Sequence, residues 1–531
     1  MGSIPRLEDI PEVIHNIQSR LPVKEAACTS ILSKSWLHAW STIPILRFRE
    51  AVTSLTKEQE TEHLKVIDHT LIRYLHDNIP IQSINLKINV ENQESASLAE
   101  KWIRPVASKS SLNALSLTFV VASASFTLPD NILSGINLTT LRVSSLFSEA
   151  YSVYMMSIDH PVINCVSLRV LNLQHVHISQ EVLDDIFSTC SSLVKIKLLH
   201  CKGFNTIKVK NLGYLYKLRI ISDEGNTTFL EINHVPNLTK CSFDLRFPSP
   251  PANPLPFNAH LLSLGSNLTQ LYLRGIIIDD ACLDMIKSKF PSLKILTLNM
   301  RRWRLGRFDL TCASMEILSL RSCQYMRIDI QLIEVNAPKL HVFLFEGKSM
   351  PRFVFFPATD NSRIRQIVLA LSLSNPLQVS FFVKMRKAFK LAMKCDIKIK
   401  TKNISVINLP FDINVVNLRK MVGFPAKNVQ QLSFFTIGDE SLWERSQLFD
   451  AFFTICHPKK VVVKADNNHF FKVMLSEVIE KKKNTKEVRE DLHWSDYLKD
   501  FEIETHEEGE TLPKSSLDGL ARVSVFKLNW R

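Results

Sequence analysis

Apolar residues recur along most of the chain with a fixed internal spacing. One apolar residue is followed by others three and five positions later. The clearest copies are Leu168/Leu171/Leu173, Leu193/Ile196/Leu198, Leu268/Leu271/Leu273, Leu293/Leu296/Leu298 and Met315/Leu318/Leu320. Neighbouring clear copies start 25 or 22 residues apart. The second and third positions are two residues apart, so they share one face of a short strand. The pattern therefore predicts one short strand in each repeat.

Weaker copies of the same pattern extend the repeat in both directions. They start at Ile81, Leu112, Leu138, Leu215, Leu238, Leu340, Ile364, Ile404 and Val429, with a doubtful copy around Val461 and Val463. A single repeat cannot bury its own apolar face, whereas stacked repeats bury a continuous core. We therefore predict an α/β solenoid over residues 81–463.

Helical segments are expected to return the chain between some of these strands. The apolar spacing of residues 178–186 and 278–286 fits one or two helical turns, with Ser179 and Asp279 as candidate caps. One segment breaks the period, because residues 246–257 hold five prolines in twelve positions. We predict a loop inserted between two repeats there, either a surface insertion without a partner or a segment that binds a ligand or a polyproline-recognising domain.

Residues 1–48 follow a different pattern, which predicts three short helices. Asp9 precedes an apolar series with helical spacing, Pro22 starts a second helix, and Ser33 can cap a third that carries Trp36 and Trp40 one turn apart. Helices this short are marginal as an independent core, so the module needs a partner or the adjacent solenoid. Residues 49–80 are expected to form a helical junction, with a helix over residues 58–75.

The repeat fades in residues 464–531. A helical segment over residues 470–479 is followed by a lysine run, an acidic stretch and two closing segments that look like strands. We therefore treat this part of the chain as a separate C-terminal region.

Composition restricts the function classes. The chain has 531 residues, a formal net charge of +13 and only 13 glycines. So few glycines argue against an enzyme built on several glycine-rich phosphate loops. The sequence also lacks the GxSxG, Walker A and HExxH patterns of common hydrolases, nucleotide-binding proteins and metalloproteases. We expect no catalytic residue, no cofactor and no metal site.

The ten cysteines are spread along the chain without a CxxC pair. We expect reduced, mostly buried thiols at the bends of the repeats, with metal ligation or redox work as the weaker alternative. The first residues lack the apolar run of a signal peptide, and no apolar stretch is long enough for a transmembrane helix. We accordingly expect neither export nor a membrane partner.

Positive charge is concentrated in two places. Basic residues cluster at positions 384–402, and four arginines surround Trp303, namely Arg301, Arg302, Arg304 and Arg307. Three interpretations stay open for the arginine cluster: a solvated face, a site for an anionic ligand or acidic substrate, and nucleic-acid binding. Nucleic acid is the weakest of the three, because the sequence contains no zinc-finger, helix-turn-helix or RNP motif.

The repeats resemble the leucine-rich repeats (LRRs) of F-box proteins. Two windows, residues 190–201 and 312–323, match the cysteine-bracketed variant of that repeat in full. The resemblance implies a horseshoe-shaped solenoid with parallel strands on its concave face. It also implies that this face binds a protein substrate.

Residues 7–48 resemble the F-box itself. The match includes a residue pair ending in proline at Ile10, a Leu-Pro pair at Leu21, and a Ser-Lys-Ser-Trp run followed four residues later by Trp40. Ile10 replaces the usual leucine, and Ser35 stands where arginine is usual. The resemblance implies binding of the Skp1 adaptor, and through it a cullin. The implied contact residues are Ile10, Pro11, Ile14, Ile17, Leu21, Pro22, Leu32, Trp36 and Trp40. For Trp36, a role in the module's own core is an equal alternative.

The closing segments look like the FBD region of many plant F-box/LRR proteins. Together the resemblances imply a non-catalytic substrate receptor of an SCF-type (Skp1–cullin–F-box) ubiquitin ligase, located in the nucleus, the cytoplasm or both. The alternative is a scaffold outside any ligase, or a basic protein associated with nucleic acid. The identity of the substrate cannot be derived from the sequence.

Overall fold

The computed structural model describes residues 10–21, 23–48, 57–121, 126–147, 156–222, 229–245, 265–275, 278, 280–300, 306–322, 330–356, 363–373, 377–401, 414–436, 448–464, 468–484, 493–505 and 523–531. The chain divides into two compact units, Met1–Leu268 and Thr269–Arg531. Each unit is mixed α/β and is built on a series of parallel strands. The predicted fold class, a leucine-rich-repeat solenoid, is confirmed.

The first unit begins with three short helices and continues into the repeats. Its helices are α1 Pro11–Arg20, α2 Val23–Thr29, α3 Lys34–Ser41, α4 Lys57–His76, α5 Gln93–Ala107 and α6 Gln180–Thr189, with a 3-10 helix at Asp130–Leu133. Its strands are β1 Ile45–Phe48, β2 Ser83–Val90, β3 Ala114–Val121, β4 Phe126–Thr127, β5 Thr140–Phe147, β6 Met156–Ile158, β7 Val170–Gln174, β8 Val176–Ile178, β9 Lys195–Leu199, β10 Thr206–Lys210, β11 Lys217–Ser222, β12 Phe229–Asn233 and β13 Lys240–Leu245.

The main sheet of this unit stacks one strand from each repeat. The pairs run β1–β2–β3–β5–β7–β9–β11–β13, and all are parallel. The second position of each repeat lies directly opposite its equivalent on the next strand. This ladder consists of Ile84, Leu115, Leu141, Leu171, Ile196, Leu218 and Cys241, all buried. The spacing read from the sequence is therefore the register of the core.

The second unit continues the same plan. Its elements are β14 Gln270–Arg274, α7 Asp280–Lys289, β15 Ile295–Met300, β16 Arg307–Thr311, β17 Ile317–Ser322, β18 Leu332–Asn336, β19 Val342–Gly347, β20 Arg352–Phe356, β21 Ile364–Leu373, α8 Val379–Phe389, β22 Ala392–Thr401, α9 Val415–Val422, β23 Val429–Thr436, α10 Leu448–Ile455, β24 Lys460–Lys464, α11 Asn468–Asn484, α12 Trp494–Tyr497, β25 Leu498–Thr505 and β26 Val523–Trp530. Its parallel series is β14–β15–β17–β19–β21–β22–β23–β24.

The parallel series of the second unit ends in an antiparallel pair. Strand β26 pairs with β24 on one side and with β25 on the other, both antiparallel. Both predicted C-terminal strands are thus present, and the predicted helix over residues 470–479 is part of α11. The likeness of residues 464–531 to an FBD region stays a prediction.

Several strands were not foreseen in the sequence. Short parallel sheets, β4–β6–β8 and β10–β12 in the first unit and β16–β18–β20 in the second, lie outside the main series. The main sheet also starts at β1, before residue 81, because Ile45–Phe48 pairs in parallel with β2. The repeat predicted at Ile404 lies outside the described residues, and the strand after β21 is β22, whose Cys395 and Ile397 continue the ladder from Ile367 and Leu369.

The helices follow the sequence more closely. Helix α4 matches the helix predicted over residues 58–75. Helix α6 begins at the predicted cap, where the backbone N–H of Val182 donates to Ser179 Oγ at 3.3 Å. Helix α7 occupies the second predicted segment, although its candidate cap, Asp279, lies outside the described residues. The proline-rich segment 246–257 also lies outside them.

Candidate binding surfaces

The three N-terminal helices pack around a small core. Ile14 of α1 contacts Trp36 and Ala39 of α3, and Ile17 packs against the same group. Ser33 caps α3, because its hydroxyl accepts the backbone N–H of Trp36 at 3.4 Å. This core is small, and several apolar side chains of the module remain exposed outside it.

A buried polar side chain ties the three helices together. Gln18 is 1% exposed, and its Nε2 donates to Thr29 Oγ1 at 2.8 Å and to the carbonyl of Trp36 at 3.1 Å. Since Gln18, Thr29 and Trp36 lie on α1, α2 and α3, one amide group fixes the position of all three helices. Buried amides of this kind favour one arrangement of the elements that they connect.

The helices are also anchored to the repeats. The hydroxyl of Tyr74 on α4 donates to the carbonyl of Ile43 at 3.0 Å, and Arg73 Nη2 donates to the carbonyl of Ser41 at 2.8 Å. Strand β1, which follows α3 directly, is part of the main sheet. The end of α3 is thus held to the solenoid by both side-chain and backbone bonds.

The structure separates the predicted adaptor residues into three groups. Ile10, Pro11 and Leu32 are exposed, Ile14 and Trp36 are buried in the core, and Ile17, Leu21 and Trp40 are half-buried, while Pro22 lies outside the described residues. Trp36 packs in the core of the module, with 8% of its surface exposed, and its role in adaptor binding stays a prediction.

Three further exposed apolar residues were missed in the sequence. Ile31 is 85% exposed beside Leu32 in the turn between α2 and α3, Leu37 is exposed on α3, and Val13 is exposed on α1. The sequence could have indicated them, because they are apolar residues that lie outside the helical spacing of the core positions. Exposed apolar residues concentrated on one small module indicate a surface that a partner covers.

The predicted arginine cluster is only partly described. Arg301, Arg302 and Arg304 lie outside the described residues. Arg307 lies on β16, and its guanidinium donates to the carboxylate of Glu334 on the neighbouring β18. Arg307 therefore belongs to a small side sheet and already has a carboxylate partner.

The second predicted basic region forms α8 and β22. Lys394, Lys398 and Lys400 are exposed on one face of β22, and Asp396 lies between them. Gln366 of β21 donates to the Asp396 carboxylate at 2.7 Å. This face of β22 therefore carries both signs of charge, which is typical of a solvated surface.

A larger group of cations occupies the side of the first unit's main sheet opposite the core ladder. It consists of Arg142 on β5, Lys195 and Lys197 on β9, Lys217 and Arg219 on β11, and Lys240 on β13. We call this group the basic strand face. Its members come from different repeats and are separated by up to 98 residues in the sequence. Only the parallel register brings them together. The sequence therefore contains no run of basic residues that would have indicated the group.

Charge repulsion within the basic strand face affects its lysines. Partial burial lowers the pKa of Lys197, and the charges of Lys195, Lys217, Arg219 and Arg142 lower it further. The pKa of Lys217 is lowered for the same reasons, by burial and then by Lys195, Lys240 and Arg219. These cations are therefore close enough to repel one another electrostatically.

The described cysteines other than Cys28 are buried, as predicted. Burial raises the pKa of the Cys201 and Cys395 thiols to about 12, so both remain protonated near neutral pH. A protonated, enclosed thiol is a packing group rather than a nucleophile or a metal ligand. In the described part of the chain, His, Cys, Asp and Glu side chains form no group of three or more that could hold a metal ion.

None of the helices in the described ranges combines the length and apolar character needed to cross a membrane.

Comparison with known proteins agrees with the repeat, and the relatives are named as F-box/LRR proteins. The family profile described as "At1g61320/AtMIF1, LRR domain" matches residues 72–249. F-box/FBD/LRR-repeat protein At1g13570 from Arabidopsis thaliana is 26% identical over 251 residues, which cover 46% of this chain and 55% of that protein. F-box/LRR-repeat protein At5g02910 from the same plant is 26% identical over 326 residues, 56% of this chain and 66% of that protein.

The chain is similar to the F-box/LRR-repeat proteins of plants. F-box/FBD/LRR-repeat protein At5g56420, also from Arabidopsis thaliana, is 26% identical over 38% of this chain and 44% of its own length. The chain thus spans about half the length of the first of these F-box/LRR relatives and less than half of the last. The matched family profile describes a repeat domain, and it covers β2 to β13 of the first unit.

Proposed function

We propose that this chain is an F-box/LRR protein and the non-catalytic substrate-recognition subunit of an SCF-type ubiquitin ligase. In this role the three N-terminal helices bind a Skp1-like adaptor, and the solenoid holds a protein substrate for ubiquitination. The similarity to these relatives supports the proposal, since they carry F-box and LRR in their names. The whole complex, including the cullin, is part of the proposal.

The observation that carries the proposal is the exposed apolar surface of the N-terminal module. Ile31 and Leu32 are 85% and 63% exposed, and Leu37 is 49% exposed. Each leaves apolar area in water that burial would stabilise at about 25 cal/mol per Å². A partner that covers the α2–α3 turn and the outer side of α3 would remove that cost.

The buried residues have a supporting role in the proposed interface. Ile14, Gln18 and Trp36 hold α1 and α3 at a fixed angle, so the exposed side chains of the same helices keep fixed positions. We therefore assign the direct contacts to Ile10, Pro11, Leu32 and the newly found Ile31 and Leu37. The half-buried Ile17, Leu21 and Trp40 would lie at the edge of the contact.

Co-purification with a Skp1-like adaptor tests the proposal. Replacing Ile31 and Leu32 by Asp places two carboxylates in the proposed contact, and we expect adaptor binding to fall at least about tenfold. Ile136→Asp is the matched control, because Ile136 is 60% exposed on the repeats rather than on the module. Adaptor binding by this control should equal that of the wild type.

Two results would contradict the proposal. If the wild-type chain is folded and does not bind the adaptor, the alternative of a scaffold outside any ligase is favoured. If it binds but I31D/L32D binds equally well, the contact surface is elsewhere. Ubiquitin transfer in the presence of the cullin, measured with and without the chain, then tests the ligase role itself.

A further inference from the structure

The basic strand face consists of two adjacent rows of residues on the first unit's main sheet. One row crosses the strands at Thr140, Val170, Lys195, Lys217 and Lys240, and the other crosses them two residues later at Arg142, Asn172, Lys197, Arg219 and Ser242. Neighbouring strands are about 4.8 Å apart, and the two rows are about 7 Å apart. The cations thus form an elongated group that runs across the strands.

Neither row contains a carboxylate. Among the described residues, no Asp or Glu forms an ion pair with these six cations. The nearest acidic residue on the same side of β13 is Asp244, two residues after Ser242, and it is buried. Elsewhere, two cations on or just before paired strands do have carboxylate partners. Lys210 on β10 meets Glu231 on β12 at 2.9 Å, and Lys294 meets Glu316 at 2.9 Å before β15 and β17.

Like charges directly opposite each other on paired strands destabilise a sheet. Lys195, Lys217 and Lys240 are in register across three strands, so their repulsion persists as long as nothing neutralises them. An anionic ligand would remove the repulsion and gain hydrogen bonds from both lysine and arginine donors. The arrangement therefore fits a binding surface better than an ordinary solvated face.

We propose that the basic strand face binds an extended acidic peptide segment of the protein substrate. This inference rests on the proposed function and names the chemistry of the substrate. The cations lie on four strands, β5, β9, β11 and β13, so a single carboxylate or phosphate could reach only some of them. An extended peptide presents successive acidic side chains on one side at intervals of about 7 Å, which suits a long and narrow group of cations.

The composition of the two rows favours a peptide over a nucleic acid. The four positions without a cation are Thr140, Val170, Asn172 and Ser242, so neither row offers an aromatic ring for base stacking. Proteins that bind single strands usually combine a basic groove with such rings. Tyr216 lies just before β11, where the ammonium group of Lys240 is 5.5 Å from its ring centroid. That contact places Tyr216 at the border of the face.

Fluorescence anisotropy on the full chain tests the proposal. The probe is a labelled peptide of alternating Glu and Ser, about sixteen residues long, and the reference is the same peptide with Gln in place of Glu. We expect the wild-type chain to bind the Glu peptide and not the Gln peptide. Affinity should fall as salt is added, because exposed charges are screened.

A matched pair of double variants distinguishes the effect of this face on peptide binding from the effect of the chain's net positive charge. Lys197→Glu with Arg219→Glu should weaken binding of the Glu peptide at least about tenfold. Lys208→Glu with Lys420→Glu changes the net charge equally at exposed positions on β10 and α9, and should stay within about twofold of the wild type. If the first double variant does not fold, Arg142→Gln and Lys217→Gln provide milder single changes that should each weaken binding.

Three outcomes would overturn the inference. Equal binding of the two peptides would exclude recognition of acidic side chains. Equal weakening by both double variants would attribute binding to net charge alone. Displacement of the peptide by a single-stranded oligonucleotide of the same charge, at a lower concentration than unlabelled peptide requires, would instead indicate a nucleic-acid site.

Adaptor co-purification of the same variants distinguishes failure of the inference from failure of the proposed function. The basic strand face lies on the repeats, so K197E/R219E should still bind the adaptor as the wild type does. Peptide binding without adaptor binding by the wild type would support the acidic-peptide site and contradict the ligase role. Adaptor binding without peptide binding would support the ligase role and contradict the acidic-peptide site.

Discussion

The side-chain amide of Gln18 donates a hydrogen bond to the backbone carbonyl of Trp36, 3.1 Å away, and so joins the first and third helices through the core of the N-terminal module. Both partners are buried. The loss of the Gln18 amide would remove its bonds to the Trp36 carbonyl and to Thr29 together. The loss of buried hydrogen bonds costs more than the loss of an exposed one.

We accordingly expect Gln18→Ala to destabilise the module by about 1–3 kcal/mol. Hydrogen exchange of residues 11–41, followed by mass spectrometry, should show faster exchange in the variant. Ser19→Ala is the control, because the hydroxyl of Ser19 donates an exposed bond to the carbonyl of Asn16 on the same helix. Equal exchange in the two variants would mean that Gln18 does not hold the helices together.

The register of the core ladder predicts a contrast between two adjacent leucines. Leu198 is fully buried and faces Leu173 and Ile220, whereas its neighbour Leu199 points to the other side of the sheet and is half-buried. Leu198→Ala should lower the free energy of unfolding by about 2–5 kcal/mol, and Leu199→Ala by less than about 1 kcal/mol. Urea denaturation measures both values. Equal losses would show that the strand register is wrong by one residue.

His457 predicts a dependence of stability on pH. It is 3% exposed, and its ring stacks on Trp530 with centroids 4.1 Å apart. Burial lowers the pKa of His457 from 6.5 to about 4, and the charge of Lys427 contributes in the same direction. Between these two values the unfolded chain binds a proton that the folded chain does not, so the folded state loses stability as the pH falls.

We expect His457 to account for a loss of about 3 kcal/mol between pH 6.5 and pH 4. His457→Phe keeps an aromatic ring against Trp530 and removes the titrating group. Unfolding curves of the wild type and the variant should therefore diverge as the pH is lowered through this range. Parallel curves would exclude His457 as the source of the dependence.

Left-handed backbone at the ends of strands predicts which substitutions are tolerated there. His175 and His200 follow β7 and β9 with φ values of 54° and 56°, and their rings stack at 4.7 Å. Asn adopts this conformation readily, whereas a β-branched residue is strained in it. His200→Val should lower the free energy of unfolding by about 1–2 kcal/mol more than His200→Asn, in urea denaturation. Since both variants lose the ring stack, the difference isolates the backbone.

The repeat could be predicted from the sequence because it depends on local spacing. Leu168, Leu171 and Leu173 carry their pattern within six residues, and parallel pairing aligns this trio with those of the neighbouring described strands. Strand β22 escaped notice since its trio, Ala392, Cys395 and Ile397, begins with a small residue and lies within a run of lysines. The short side sheets were not predicted, because the spacing rule describes only the main strand of each repeat.

The binding surfaces were harder to predict, because they depend on contacts between distant residues. The helical spacing of residues 10–21 identified the module but could not tell buried Ile14 from exposed Val13. Arg142, Lys197 and Arg219 come together only through the register of β5, β7, β9 and β11. The sequence signal for this face would have been cations two and four residues after the first apolar position of several consecutive repeats.

The antiparallel end of the second unit has a consequence for the order of folding. Strand β24 can add to β23 as soon as residues 460–464 emerge from the ribosome, but its other edge stays open until β26, about sixty residues later, has been synthesised. An open edge of buried valines is a site where two unfinished chains can pair with each other. Slow synthesis between β24 and β26 would therefore favour aggregation of nascent chains, and chaperone binding during that interval would prevent it.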